Sequence, residues 1–359
     1  MCSRASVAFT CVVALVVGAP QKSIFNEGGL IYFPGQEIPH TLTTTVRPRL
    51  AAIQGERKSI QMCRKYETQC VRLTRTSIDS YDDDYDQAEP LIINGTAADT
   101  SLLPGLILNG TDAKPTEFPH MALIGFDSFL GVQWRCGGSL ISEQFVLSAA
   151  HCNDRAGGPK YVRLGDYNMM SNDDENLGYS KPQEFKIIQV ITHPEYDQDR
   201  GYNDITLYKL DRPVVFDRFI KPICLHTEYK IPTSNGILSG WGGIEYGGPM
   251  TDILQKGNVS FIPEQECNNA IGPIMKQRDA ELKDKMMLCA ANFVNGTDTC
   301  QGDSGGPLQY LRPDSCMYSQ VGITSFGVKC GNFYGQPKYP AIYTRVSSYI
   351  QWIETNVWP

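Results

Sequence analysis

From Phe118 to its end, the chain alternates short apolar runs with breaks of Gly, Pro, Asn and Asp, and this rhythm constrains the fold more than any other feature. Met121–Phe126, Phe145–Ala149, Phe185–Thr192 and Ile205–Leu210 are five to eight residues long and carry many β-branched or aromatic side chains. Runs of that length and kind suit strands of an all-β barrel. Only the end differs: Val346, Tyr349, Ile350, Ile353 and Val357 share one helical face, which predicts an amphipathic C-terminal helix.

Within this frame, Asp298-Thr-Cys-Gln-Gly-Asp-Ser-Gly-Gly-Pro307 reads as a loop built to expose one hydroxyl, that of Ser304. Its small residues let backbone and substrate approach, and the N–H groups of Gly302 and Ser304 are placed to stabilise an oxyanion. A serine hydroxyl is a poor nucleophile unless a base takes its proton and a third group holds the base. His151, in Leu147-Ser-Ala-Ala-His-Cys152, and Asp204, in Tyr202-Asn-Asp-Ile-Thr-Leu207, supply those types. Taken singly, each has a plain structural reading as a turn, a core histidine or a strand-end cap; the combination points to acyl transfer.

These residues, with Ile107-Leu-Asn-Gly110, Phe118-Pro-His-Met-Ala122, Cys136-Gly-Gly-Ser-Leu140, Val162-Arg-Leu-Gly165, Gly240-Trp-Gly242 and Val321-Gly-Ile-Thr-Ser-Phe-Gly327, resemble the chymotrypsin-like serine proteases. More narrowly, they resemble the arthropod clip-domain enzymes of the snake type. The resemblance covers 107–359 and implies a chymotrypsin-like double antiparallel β-barrel, with the catalytic groups at the junction. It implies His151, Asp204 and Ser304 as catalytic residues, Gly302 and Ser304 as the oxyanion hole, and Asp298 at the base of a pocket for Arg or Lys. Ser325, Phe326 and Gly327 then flank the substrate. Ala341 stands where the family has glycine, so a methyl group narrows the pocket.

The same resemblance implies a zymogen cut between Leu106 and Ile107, eleven residues before Phe118, after which Asp303 pairs with the new amine. Leu106 departs from the family's basic residue, so the expected activator is a separate protease that accepts leucine. A related stretch, Pro90-Leu-Ile-Ile-Asn-Gly-Thr96, duplicates the site. The implied disulfides are Cys136–Cys152, Cys267–Cys289 and Cys300–Cys330. Cys63–Cys224 with Cys70–Cys316 is favoured for the rest, against Cys63–Cys70 with Cys224–Cys316.

Twelve cysteines without paired CxxC spacing favour disulfides over zinc and hence an oxidising compartment. A short apolar run, Val7–Gly18, behind Arg4 reads as a signal peptide over 1–19, and no segment is long enough to span a bilayer. Residues 20–106 read as a largely disordered propeptide, rich in Thr, Pro and charge, with the acidic run Asp79–Asp86. The six cysteines of a clip domain are not found there. The formal charge of −7 argues against a nucleic-acid partner. Asn94, Asn258 and Asn295 are expected glycosylation sites and Asn109 an unused sequon. No cofactor is expected; Asn172–Glu175 with Asp166 and Glu184 are weighed as a calcium site against a plain acidic loop. The sequence thus reads as a secreted protease of an extracellular cascade in an immune, developmental or venom setting, with a protein substrate, an upstream activator and a serpin inhibitor as partners. An inactive homologue acting as a binding protein is the alternative.

Overall fold

The computed structural model describes residues 55–78, 92–93, 96–97, 110–171, 173–243, 248–283, 285–294, 296–313, 315–327 and 339–359. In chain order the elements are α1 (Lys58–Ile78), β1 (Ile92–Ile93), β2 (Thr96–Ala97), β3 (Thr111–Asp112), β4 (Met121–Ser128), β5 (Gly131–Leu140), β6 (Phe145–Ser148) and β7 (Tyr161–Leu164). There follow α2 (Asp173–Asn176), β8 (Gln183–Thr192), β9 (Thr206–Leu210), β10 (Cys224–Leu225), β11 (Asn235–Gly240), β12 (Gln255–Ile262) and α3 (Glu264–Gln277). The chain ends with β13 (Met287–Ala291), β14 (Pro307–Leu311), β15 (Tyr318–Phe326), β16 (Ala341–Arg345) and α4 (Ile350–Val357).

The strands close into two six-stranded antiparallel rings. The first runs β4-β5-β6-β9-β8-β7 and returns to β4. The second runs β15-β14-β11-β12-β13-β16 and closes through β15–β16 pairing, with β10 parallel to β15 and β3 added to β12. Closure removes the unpaired edges that open sheets expose. Ile124, Leu147, Leu164, Phe185 and Leu207 fill the first barrel, and Leu238, Leu308, Val321 and Tyr343 the second. Each such side chain contributes roughly 1.5–3 kcal/mol by leaving water. Val346, Tyr349, Ile350, Ile353 and Val357 are all buried against the first core, although Val346–Tyr349 form a 3-10 turn and the α-helix begins only at Ile350.

Besides the short α2, two longer helices depart from the sequence expectation. Lys58–Ile78, expected to be disordered, is helical, because Ser59, Cys63 and Tyr66 fall on one helical face and are buried. A disulfide joins Cys63 to Cys224, Tyr66 packs edge-on to Phe216, and the Tyr66 hydroxyl donates to Glu143 at 2.9 Å. The Ser59 N–H and hydroxyl both donate to Glu354 Oε1 on α4, at 2.9 and 2.7 Å. These long-range contacts offset the chain entropy that composition alone does not. The second helix, α3, is held to β13 by Cys267–Cys289. Of the duplicated stretch, Ile92 and Ile93 pair with Ala97 and Thr96, while Asn94 lies outside the described residues.

Candidate active site

His151 lies on the 3-10 turn Ala150–Asp154 that follows β6, and Asp204 lies on the approach to β9, so both belong to the first barrel. Ser304 lies on the turn before β14 of the second. The two barrels meet at this turn. The Gly137 N–H of β5 donates to the Ser304 carbonyl at 2.8 Å. Gly305 has φ +81°, and a Cβ there would overlap the Ser148 hydroxyl and sit 3.0 Å from the Ala149 nitrogen. Glycine therefore lets the Ser304 turn lie against the residues leading into His151. Cys136–Cys152 ties the His151 turn to β5.

The His151 Nδ1 and Asp204 Oδ2 are 2.8 Å apart, and the His151 backbone N–H donates to Asp204 Oδ1 at 2.9 Å. The Ser325 hydroxyl donates to the same Oδ2, and Thr344 Oγ1 donates to the Asp204 carbonyl at 2.9 Å. Burial pushes the Asp204 carboxyl up, but the His151 charge and the hydrogen bonds of His151 and Ser325 outweigh it and hold the group below the ordinary carboxylate range. The preceding residue, Asn203, adopts φ +52°, and its side chain is fixed by Tyr349 Oη at 3.0 Å and by the Glu195 carbonyl at 2.7 Å. The contribution of Ser325 is absent from the sequence reading, because a bond between residues 121 apart has no local signature.

Ser304 is half-buried, and among the described residues its hydroxyl makes no hydrogen bond to another protein group. Nor do the Gly302 and Ser304 N–H groups donate to a carbonyl; Gly302 has φ +104°, a conformation that favours glycine. Between them Asp303 is buried under Gly240 and Gly242, and accepts from the Gly242 and Cys300 N–H groups at 2.9 Å each. Burial pushes its carboxyl up to about 6, and no cation among the described residues pairs with it. Leu106, Ile107 and Asn109 lie outside the described residues.

Asp298 is buried and accepts from the Thr299 N–H at 2.8 Å. A Cβ built on Gly327 would stand 3.9 Å from that of Ala341, so the methyl group faces Gly327 directly. Phe326 packs over Gly201, and Arg278 stacks on its ring at 4.8 Å. Cys300 and Cys316 are disulfide-bonded; Cys330 and the Cys70 side chain lie outside the described residues, while the Cys63–Cys224 bond excludes Cys63–Cys70. Asn258 is exposed on β12, and Asn295 is not among the described residues.

Asp166 and Asp174 are buried, so this segment is not a simple solvated loop. Asp166 Oδ2 pairs with Arg163 at 3.0 Å, whereas Asp166 Oδ1, Asp174 Oδ1 and the Ser180 hydroxyl have no hydrogen-bond partner among the described residues. Glu175 is exposed, Glu184 is engaged by Arg163 at 3.1 Å, and Asn172 and the Asp173 side chain lie outside the described residues.

Residues 107–353 match the family model described as Trypsin. The chain belongs to the trypsin family. Serine protease snk of Drosophila melanogaster is 37% identical over 227 residues, which cover 62% of this chain and 49% of that relative. CLIP domain-containing serine protease B10 of Anopheles gambiae is 36% identical over 238 residues, 62% of each chain. Trypsin-1 of Astacus astacus is 34% identical over 232 residues, 64% of this chain and 91% of that relative. The chain thus spans about half the length of the first of these, and its protease domain is of the clip-domain protease type. Trypsin-like proteases need no cofactor for their chemistry.

Proposed function

We propose that the chain is a secreted serine endopeptidase zymogen that cuts protein substrates after Arg or Lys. The observation that carries this is the 2.8 Å contact between His151 and Asp204, beside a serine turn held against the His151 segment. Ser304 attacks the scissile carbonyl while His151 takes its proton, and His151 then gives that proton to the leaving amine. Asp204 fixes the imidazole tautomer and balances its transient charge. The Gly302 and Ser304 N–H groups receive the oxyanion. Water next attacks the acyl-enzyme, with His151 again as base, and the acid product leaves.

Asp298 draws a basic side chain into the pocket, where arginine pairs best through its fork. Ala341 shortens that pocket. Cleavage between Leu106 and Ile107 by a protease that accepts leucine frees an amine for Asp303, whose buried carboxylate otherwise lacks a cation. Cys63–Cys224 keeps α1 attached after the cut. The disulfides Cys63–Cys224, Cys136–Cys152 and Cys267–Cys289 suit an oxidising, extracellular setting, and a serpin and a cascade substrate are the expected partners. No cofactor takes part in the chemistry, and calcium at Asp166 and Asp174 is at most an optional brace.

The test is to cut the chain at Leu106–Ile107 and assay arginyl, lysyl and leucyl amides. Arginyl and lysyl turnover that vanishes in Ser304→Ala is expected. Equal turnover in Ser304→Ala, or none on any amide, refutes the proposal.

A further inference from the structure

The first barrel carries an irregularity beside the site. Ile124 stands opposite Cys136 and Gly125 opposite Trp134, so Arg135 is one residue too many for its partner strand. A bulge of this kind turns a side chain out of the pleat and is common next to active sites. Arg135 is exposed, and its guanidinium donates only to the neutral Gln133 Oε1, through Nε at 2.9 Å and through Nη2. The next residue is bonded to Cys152, the neighbour of His151, and the one after that donates to the Ser304 carbonyl.

Arg155 directly follows the 3-10 turn that carries His151, and it is also exposed. The two guanidinium groups sense each other: burial first, then the charge of Arg135, pulls the Arg155 pKa down. Two acids close in sequence to these arginines have other partners. Asp154 accepts from the Tyr196 hydroxyl at 2.7 Å, and Asp127 lies beside Tyr161. Among the exposed arginines of the described residues, Arg57, Arg64 and Arg212 sit on carboxylates, whereas Arg218 and Arg278 donate to backbone carbonyls. Arg135 and Arg155 have no carboxylate partner among the described residues. Two like charges held together without a counter-ion favour a ligand that brings one.

We infer that Arg135 and Arg155 make the cleft select protein substrates that carry an acidic side chain in the first residues after the scissile bond. This rests on the hydrolase reading above. The leaving amine takes its proton from His151, so the substrate that follows the cut must pass on the His151 side. There it runs past the Arg135 bulge and the Arg155 turn, which Cys136–Cys152 ties together. A guanidinium fork matches a carboxylate in two parallel hydrogen bonds.

The experiment uses the full chain cut at Leu106–Ile107 and three peptides that share an arginine at the cut and differ in having Glu, Gln or Lys two residues after it. At low salt, kcat/KM is expected to fall in the order Glu, Gln, Lys, with Glu over Gln roughly five- to tenfold, the scale of two exposed ion pairs. The ratio shrinks as salt rises. Arg135→Glu with Arg155→Glu is expected to reverse the order, and Arg155→Gln alone to shrink the Glu-over-Gln ratio by roughly half to two-thirds. Equal rates on the three peptides overturn the inference while arginyl amide turnover keeps the hydrolase reading intact; no turnover of that amide sinks both. A Glu preference undiminished in the variants also overturns it.

Discussion

Burial pushes the Asp303 carboxyl up to about 6 from an ordinary 3.8, because two backbone N–H groups offset only part of the lost hydration. A displacement of that size corresponds to about 3 kcal/mol. The folded chain binds this proton more tightly than the unfolded chain does. Relative to neutral pH, the uncut fold therefore gains stability from the group below about pH 4, and the gain is lost as pH rises through about 6. Thermal melts of the uncut chain should show that slope, and Asp303→Asn should flatten it; an unchanged slope in Asp303→Asn contradicts the assignment. Asp204 has the opposite balance, held low by His151 and Ser325. Ser325→Ala removes one hydrogen bond to a charged group, so kcat is expected to fall roughly ten- to hundredfold with KM little changed. Equal kcat in the variant would show that the hydroxyl has no positioning role. Ser304, His151 and Asp204 stand out in the sequence as candidates because each sits in a short run of distinctive neighbours, and the structure places His151 against Asp204. Ser325 was legible only as a substrate neighbour, since its bond to Asp204 depends on two barrels meeting.

The strands were legible as elements because β-branched runs between breakers have few other uses, and the C-terminal helix because its apolar face repeats at 3.6 residues. α1 was not, because it buries only a narrow face, and its anchors, Cys224, Phe216, Glu143 and Glu354, lie far along the chain. Tyr66→Ala removes a buried ring and the hydrogen bond to Glu143 Oε2, leaving Glu143 its ion pair with Lys65, and is expected to cost about 3 kcal/mol in urea unfolding. A midpoint within experimental scatter of the wild type would mean that α1 does not bear on the barrels. The β7–β8 connection makes a second test at this scale. If Asp166 and Asp174 grip calcium, millimolar calcium raises the melting temperature and a chelator lowers it, an effect that Asp174→Asn removes. No calcium response in the wild type would leave those buried oxygens without a metal.

In the proposed mechanism the molecule divides the chemistry between its barrels: His151 and Asp204 as base and orienting carboxylate on the first, Ser304, the Gly302 and Ser304 N–H groups and Asp298 on the second. Neither half is a catalyst alone, so the contact of the Ser304 turn with β5 and the end of β6 sets the geometry of the reaction. The same division makes activation a property of the whole. In the proposed zymogen, a cut between Leu106 and Ile107 would act on Asp303, and through it on the turn that holds Gly302 and Ser304. The most direct measurement is mass spectrometry of a fluorophosphonate adduct, taken on the uncut chain and on the chain cut at Leu106–Ile107. The expected result is strong labelling on Ser304 of the cut chain alone, lost in His151→Ala. Labelling that favours another residue, or that is equal in the two forms, would contradict the account.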